Sequence, residues 1–191
     1  NMTNSIGLRL ILHAIFLLSG TLTVLVGQLL PILTRQHSLN DLQAGFYFPA
    51  QFAGSLFGTF LTGRLARNNQ FILASILGGM LMAIGVVLLN IDSFAISLVG
   101  FLITGIGIGL TLPAINMTVL EMNPINTASA LSILNFCWGV GAIICKPFVD
   151  LTSNDSDIRL TTIVLATLVT SVTGLLFLYP LRSANSDKAG A

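Results

Sequence analysis

The chain has 191 residues, of which 54% are hydrophobic and only 8% charged, and its net charge is +1. A soluble domain carries about 25% charged residues. Eight Lys or Arg and 7 Asp or Glu cannot cover a water-facing surface of this size, so a water-soluble globular domain is excluded. The mean hydropathy of +0.91 makes lipid the surrounding solvent, and no basic cluster calls for nucleic acid.

Six apolar runs approach the ~20 residues that a helix needs to cross a bilayer: 8–33, 42–63, 71–90, 94–122, 127–150 and 158–180. The breaks between them are short and polar, and only Asn90, Asp92 and Ser93 separate the third run from the fourth. The expected architecture is an all-α membrane protein, a six-helix bundle over 8–180 followed by a cytoplasmic tail or linker over 181–191. With six spans both ends share one side. That side carries Arg9, Arg64, Arg67, Arg182 and Lys188, whereas the other carries Arg35 and Arg159 with Asp41, Asp92, Asp155 and Asp157. The positive-inside bias predicts cytoplasmic termini. Cys137 and Cys145 lie eight residues apart on one predicted helix, roughly 12 Å, too far for a disulfide. No cofactor or metal is expected.

Polar groups inside spans are costly and mark candidate sites. In the first span Thr21 and Gln28 share a face, and Gln28 is the more plausible solute contact. In the second, Tyr47 and Gln51 share a face. The fourth offers Thr104, Thr111 and Asn116, the last either a solute contact or a cap for the break made by Pro113. In the fifth, Asn135, Trp138, Ala142 and Lys146 form one stripe at helical spacing. Asn135 would hydrogen-bond a hydroxyl, Trp138 would stack on a sugar face or a cation, and Lys146 would hold an anionic group or a proton-coupled partner. Asp150 follows Lys146 by one turn, and the alternative reading is an ion pair with Lys146 snorkelling to the interface.

Gly27-Gln-Leu-Leu-Pro31 and Gly109-Leu-Thr-Leu-Pro113 both read G-x-x-L-P, 82 residues apart, and Gln51-Phe52 and Asn135-Phe136 match at 84. These offsets relate repeat 8–90 to repeat 94–180. A three-span unit repeated once is inverted across the membrane, a pattern found in secondary transporters.

The stretch Gly105-Ile-Gly-Ile-Gly-Leu-Thr-Leu-Pro-Ala-Ile-Asn116 resembles helix 4 of the major facilitator superfamily. Residues 123–142 resemble its helix 5, especially in branches similar to fucose permeases. Gly63-Arg-Leu-Ala-Arg67 stands where that family keeps G-x-L-A-D-R-x-G-R; Gly63, Leu65 and Ala66 match, but Arg67, Asn68, Gln70 and Phe71 depart from the pattern. The resemblance covers residues 8–180. It implies an alternating-access secondary transporter for a small polar solute such as a sugar, of which this chain is the N-terminal six-helix half. It also implies a second six-helix half, in the same polypeptide or as a homodimer, a possible coupling proton or ion, and the bacterial inner membrane as location. Glu121 would then stand beside Arg64 and Arg67 as a gating ion pair, with Asp150 a further ion-pair residue.

Other six-span classes lack their marks. There is no G-x-S-G serine with a late histidine for an intramembrane protease, no Asn-Pro-Ala for an aquaporin, and no P-x-[DE]-x-x-[RK] for a mitochondrial carrier. An enzyme is not expected. The rival reading is a non-transporting membrane scaffold or partner-binding subunit, in which the polar stripe of the fifth span would be sealed in the bundle or turned to lipid.

Overall fold

The computed structural model describes residues 2–154 and 157–179. Residues 180–191, with Arg182 and Lys188 of the orientation argument, and Asp155 lie outside them. The described residues form seven α-helices and one 3-10 turn: α1 Met2–Gln36, α2 Asp41–Gly45, α3 Tyr47–Ala66, α4 Phe71–Leu88, α5 Phe94–Met122, α6 Thr127–Thr152, α7 Arg159–Gly174 and the turn Leu175–Leu178.

All six predicted spans are helical, and the second is divided. Asn40 caps α2 with a reciprocal pair, its Oδ1 accepting from Gln43 N at 2.8 Å and its N–H donating to Gln43 Oε1 at 3.1 Å. The helix pauses at Phe46 because Pro49, in the first turn of α3, has no N–H to return to the Gly45 carbonyl. Five helices are long and apolar enough to cross a membrane: residues 6–36, α4, α5, α6 and residues 159–178. The sixth, α3, has the length, at 20 residues, or about 30 Å. Its glycines, hydroxyls and amide lower its hydropathy.

Asn69, in the left-handed region at φ 51°, turns the chain between α3 and α4, a conformation that asparagine tolerates better than most residues. At the other end of the bundle Asn90 closes α4. Its Nδ2 donates to Val87 O at 3.1 Å and its Oδ1 accepts from Thr162 of α7 at 2.7 Å. Gly7 of α1 lies against the Tyr179 side chain, so the two ends of the described chain meet at one end of the bundle, hereafter the terminal end.

The main packing partners are α3 with α5, α5 with α4, α1 with α6, and α4 with α7. Lipid gives apolar helices no reason to leave it, so close backbone approach across small residues holds them together. The hydroxyls of Thr111 and Thr173 have no conventional hydrogen-bond partner. They sit where a side chain would begin on Gly78 and Gly79, in reach of the Cα–H groups that act as weak donors. Buried apolar residues form one cluster around Leu25, Leu29, Met82, Val86 and Phe101 and another towards the terminal end around Leu12, Phe16, Ile76 and Ile115.

A groove where one helix pair diverges

Two parallel helix pairs set the geometry of the site. Along α3 and α5 the backbones stay in contact: the Leu102 carbonyl lies against Gly54, the Ile106 carbonyl against Gly58 and the Ser55 carbonyl against Gly109. Pro113 has no N–H for the Gly109 carbonyl. Two hydroxyls of α3 reach that oxygen, Thr62 at 3.1 Å and Thr59 at 3.4 Å, and Thr62 lies equally near Gly58 O of its own helix at 3.1 Å and near Leu110 O at 3.2 Å; α3 thus supplies the missing donor.

The α1–α6 pair begins the same way. The Trp138 carbonyl lies against Gly20 and the Leu17 carbonyl against Gly141, and Thr21 donates to Gly141 O at 2.9 Å. At the repeat offsets Gly20 registers with Leu102 and Trp138 with Gly54, so this is the corresponding contact with the glycine on the other partner. One level further the correspondence ends. Gly109 and Ser55 register with Gly27 and Gly139, yet nothing comes within 4 Å of a Cβ built on Gly139, and only the Phe48 ring, at 4.0 Å, approaches one on Gly27. Thr62 registers with Lys146.

The divergence leaves a groove of about 370 Å³ between the two helices, whose polar lining is Gln28, Arg35, Lys146 and Asp150 together with Ser153 and Asn154. Lys146 Nζ lies 2.7 Å from both Asp150 oxygens, and the two side chains are 64% and 58% exposed. So exposed a pair adds at most about 1 kcal/mol to stability. Pro31, also on the groove, leaves the Gly27 carbonyl without its helical donor.

The other candidates lie elsewhere. Tyr47 is fully buried, its ring edge-on to Phe94 at 5.6 Å and Phe101 at 5.2 Å. Gln51 is buried, and its amide donates to Leu22 O and Thr23 O, both at 3.2 Å, clipping α3 to α1. Asn116 is half-buried and turns its amide to Leu112 O at 2.9 Å; the carbonyl freed by Pro113 is met by Thr62 instead. Asn135 is exposed and bonds Leu131 O at 2.8 Å. Trp138 packs beside the Leu12–Phe16 cluster with its indole N–H buried and unpartnered. Thus Gln28 and Lys146 are brought together, Asn135 stays on the open side of α6, and Tyr47 and Gln51 are sealed inside.

Arg64, Arg67 and Glu121 are exposed. Arg64 lies over the Phe60 ring, 4.6 Å from its centroid, and among the described residues no ion pair joins Glu121 to either arginine.

One polar assembly escapes the sequence. His37, with a side chain only 5% exposed, has Nδ1 3.1 Å from Asp92 Oδ1 and Nε2 3.3 Å from Ser97 Oγ. It ties the end of α1 to the α4–α5 turn. The order Ser–His–Asp is that of a hydrolytic relay, but Ser97 is wholly buried, so no substrate reaches its hydroxyl. No local spacing signals this contact, because the three residues come from separate turns of the chain.

The family described as Major Facilitator Superfamily matches residues 4–145. No curated protein gives a significant match to the chain.

Proposed function

The chain belongs to the major facilitator superfamily, whose members are membrane transporters, and from that premise we propose that it works by alternating access on a small polar solute. The single observation that carries this reading is the divergence of α1 from α6. Two helix pairs related by an inverted repeat are closed at one level and open at the corresponding one, and the open level gathers Gln28, Lys146 and Asp150. A scaffold with a packed, sealed bundle has no use for an ion pair at the mouth of a groove.

The solute path then runs along α6 from the groove past Trp138 and Asn135. It needs a second wall, supplied by another six-helix half in the same polypeptide or in a second copy. The exposure of α6 supports that partner: 17% of its most apolar window is buried, against 56% in α1 and 61% in α4. On α3, Phe52, Leu56 and Phe60 form a second exposed row. With the terminal end in the cytoplasm of a bacterial cell, Arg64, Arg67 and Glu121 stand at the inner mouth, where an ion pair formed in another state would close the path. Coupling to a proton or ion would run through Asp150 or Glu121, the acids at the two mouths. The sugar suggested by the resemblance of residues 123–142 draws on Asn135 as hydroxyl partner and Trp138 as stacking face.

Uptake into proteoliposomes tests the assignment. Asn135→Ala and Trp138→Ala should each lower solute uptake about tenfold while leaving the amount of protein in the membrane unchanged. Wild-type uptake by both variants removes α6 from the path.

A further inference from the structure

We propose that His37 is a positioning residue that keeps the α1–α6 groove open; this rests on the transport reading above and adds what sets the width of its path. α1 is pinned at two levels. In its middle, Gly20 lies against the Trp138 main chain, Thr21 donates to Gly141 O at 2.9 Å, and the Gln51 amide holds the Leu22 and Thr23 carbonyls. At the end opposite the termini, His37 continues the helix, its N–H donating to Leu33 O at 3.0 Å. Its buried ring lies 3.1 Å from Asp92 Oδ1 and 3.3 Å from Ser97 Oγ. The groove opens between these two levels, which are about 24 Å apart along the helix.

The other wall has its own attachment. The Thr152 hydroxyl of α6 lies 2.8 Å from that of Thr161 in α7, and Thr162 donates to Asn90 at the close of α4 at 2.7 Å. The α4–α5 turn and the start of α5 thus hold α1 at Asp92 and Ser97, and the close of α4 holds α6, through α7, at Asn90. A polar gap of about 340 Å³, lined by Gln36, Asn90, Asp92, Asp157 and Arg159, lies between the end of α1 and the start of α7. Between its two pins α1 can bend, because Pro31 leaves the Gly27 carbonyl without its helical donor. Neither Gly27 nor Gly139 puts a side chain in the way of a bend towards α6. The α3–α5 pair shows the closed form of this crossing, in which Leu110, the counterpart of Gln28, is buried. The His37 contacts oppose that bend. Pulling the ring away leaves buried polar groups without partners, which costs more than parting an exposed pair. Release of His37 therefore closes the groove.

The test uses the 191-residue chain carrying Cys137→Ser, Cys145→Ala and Gln28→Cys in lipid nanodiscs, with the rate of maleimide labelling as the measure of groove opening. His37→Phe keeps a ring of similar size and removes both polar contacts, and it should slow labelling about tenfold. Adding Gly139→Leu, which fills the crossing, should return the rate to within about twofold of the parent chain, and Gly139→Leu alone should leave it unchanged. A residue needed only to keep the chain folded would not be rescued by bulk placed on another helix. Asp92→Ala removes one partner at a side chain that is 75% exposed and should slow labelling about threefold; it tests the same contact where His37→Phe does not reach the membrane. An unchanged or faster rate in His37→Phe or in Asp92→Ala overturns the inference, and so does slow labelling that Gly139→Leu fails to restore. None of these outcomes depends on a solute, so failure of every solute to enter proteoliposomes strikes the transport reading instead.

Discussion

Thr62 and Lys146 occupy matching places in two related helix pairs, and the difference between a hydroxyl and an ammonium accompanies a closed crossing in one and a groove in the other. Thr62→Val removes the nearer of the two hydroxyls on the Gly109 carbonyl and should cost about 1 kcal/mol, read from unfolding in mixed micelles. No loss would mean that the Pro113 break is satisfied otherwise. Gln51 teaches the opposite lesson about reading a sequence. An amide inside a span invites assignment as a ligand contact, but main-chain carbonyls meet its hydrogen-bonding need equally well, and here Leu22 and Thr23 provide them. Gln51→Leu should therefore lower stability by about 1 kcal/mol and leave solute affinity within about twofold. A selective loss of affinity would return Gln51 to the solute path. His37 falls outside any local pattern, since its partners are known only once α1 has folded against the α4–α5 turn.

Among the elements, the six spans were legible because an apolar run of bilayer length has one stable fate, a helix with its backbone groups satisfied internally. The split of the second span was less visible. Pro49 sits near a helix start, where proline is tolerated, so only the missing donor to Gly45 explains the pause at Phe46. The repeat was readable from G-x-x-L-P and the amide-Phe pair, and the matching contacts of Gly54 with Leu102 and Gly20 with Trp138 give it a geometric counterpart. How far each pair stays closed was not readable, because Gly27 and Gly139 could have packed as tightly as Gly109 and Ser55. Any side chain at Gly20 meets the Trp138 main chain, which cannot step aside as a flexible side chain would. Gly20→Leu should destabilise the bundle by about 2–3 kcal/mol, whereas Gly139→Leu, with open space around it, should stay within about 0.5 kcal/mol. Equal effects would contradict the divergence of α1 from α6.

For the whole molecule, the described helices form half of a major-facilitator fold: α1, α4 and α5 are well covered, and α3 and α6 present exposed apolar rows. Transport follows if these exposed rows meet a second half and the α1–α6 groove is the mouth of the path. Cysteine labelling tests this most directly. In a chain carrying Cys137→Ser and Cys145→Ala, Gln28→Cys and Thr62→Cys would be exposed separately to a membrane-impermeant maleimide from each side of the membrane. The account predicts that Gln28→Cys reacts from the side opposite the termini at least about tenfold faster than Thr62→Cys reacts from either side, and that solute slows the Gln28→Cys reaction. Equal rates at the two positions, or a Gln28→Cys reaction that solute leaves unchanged, would contradict it.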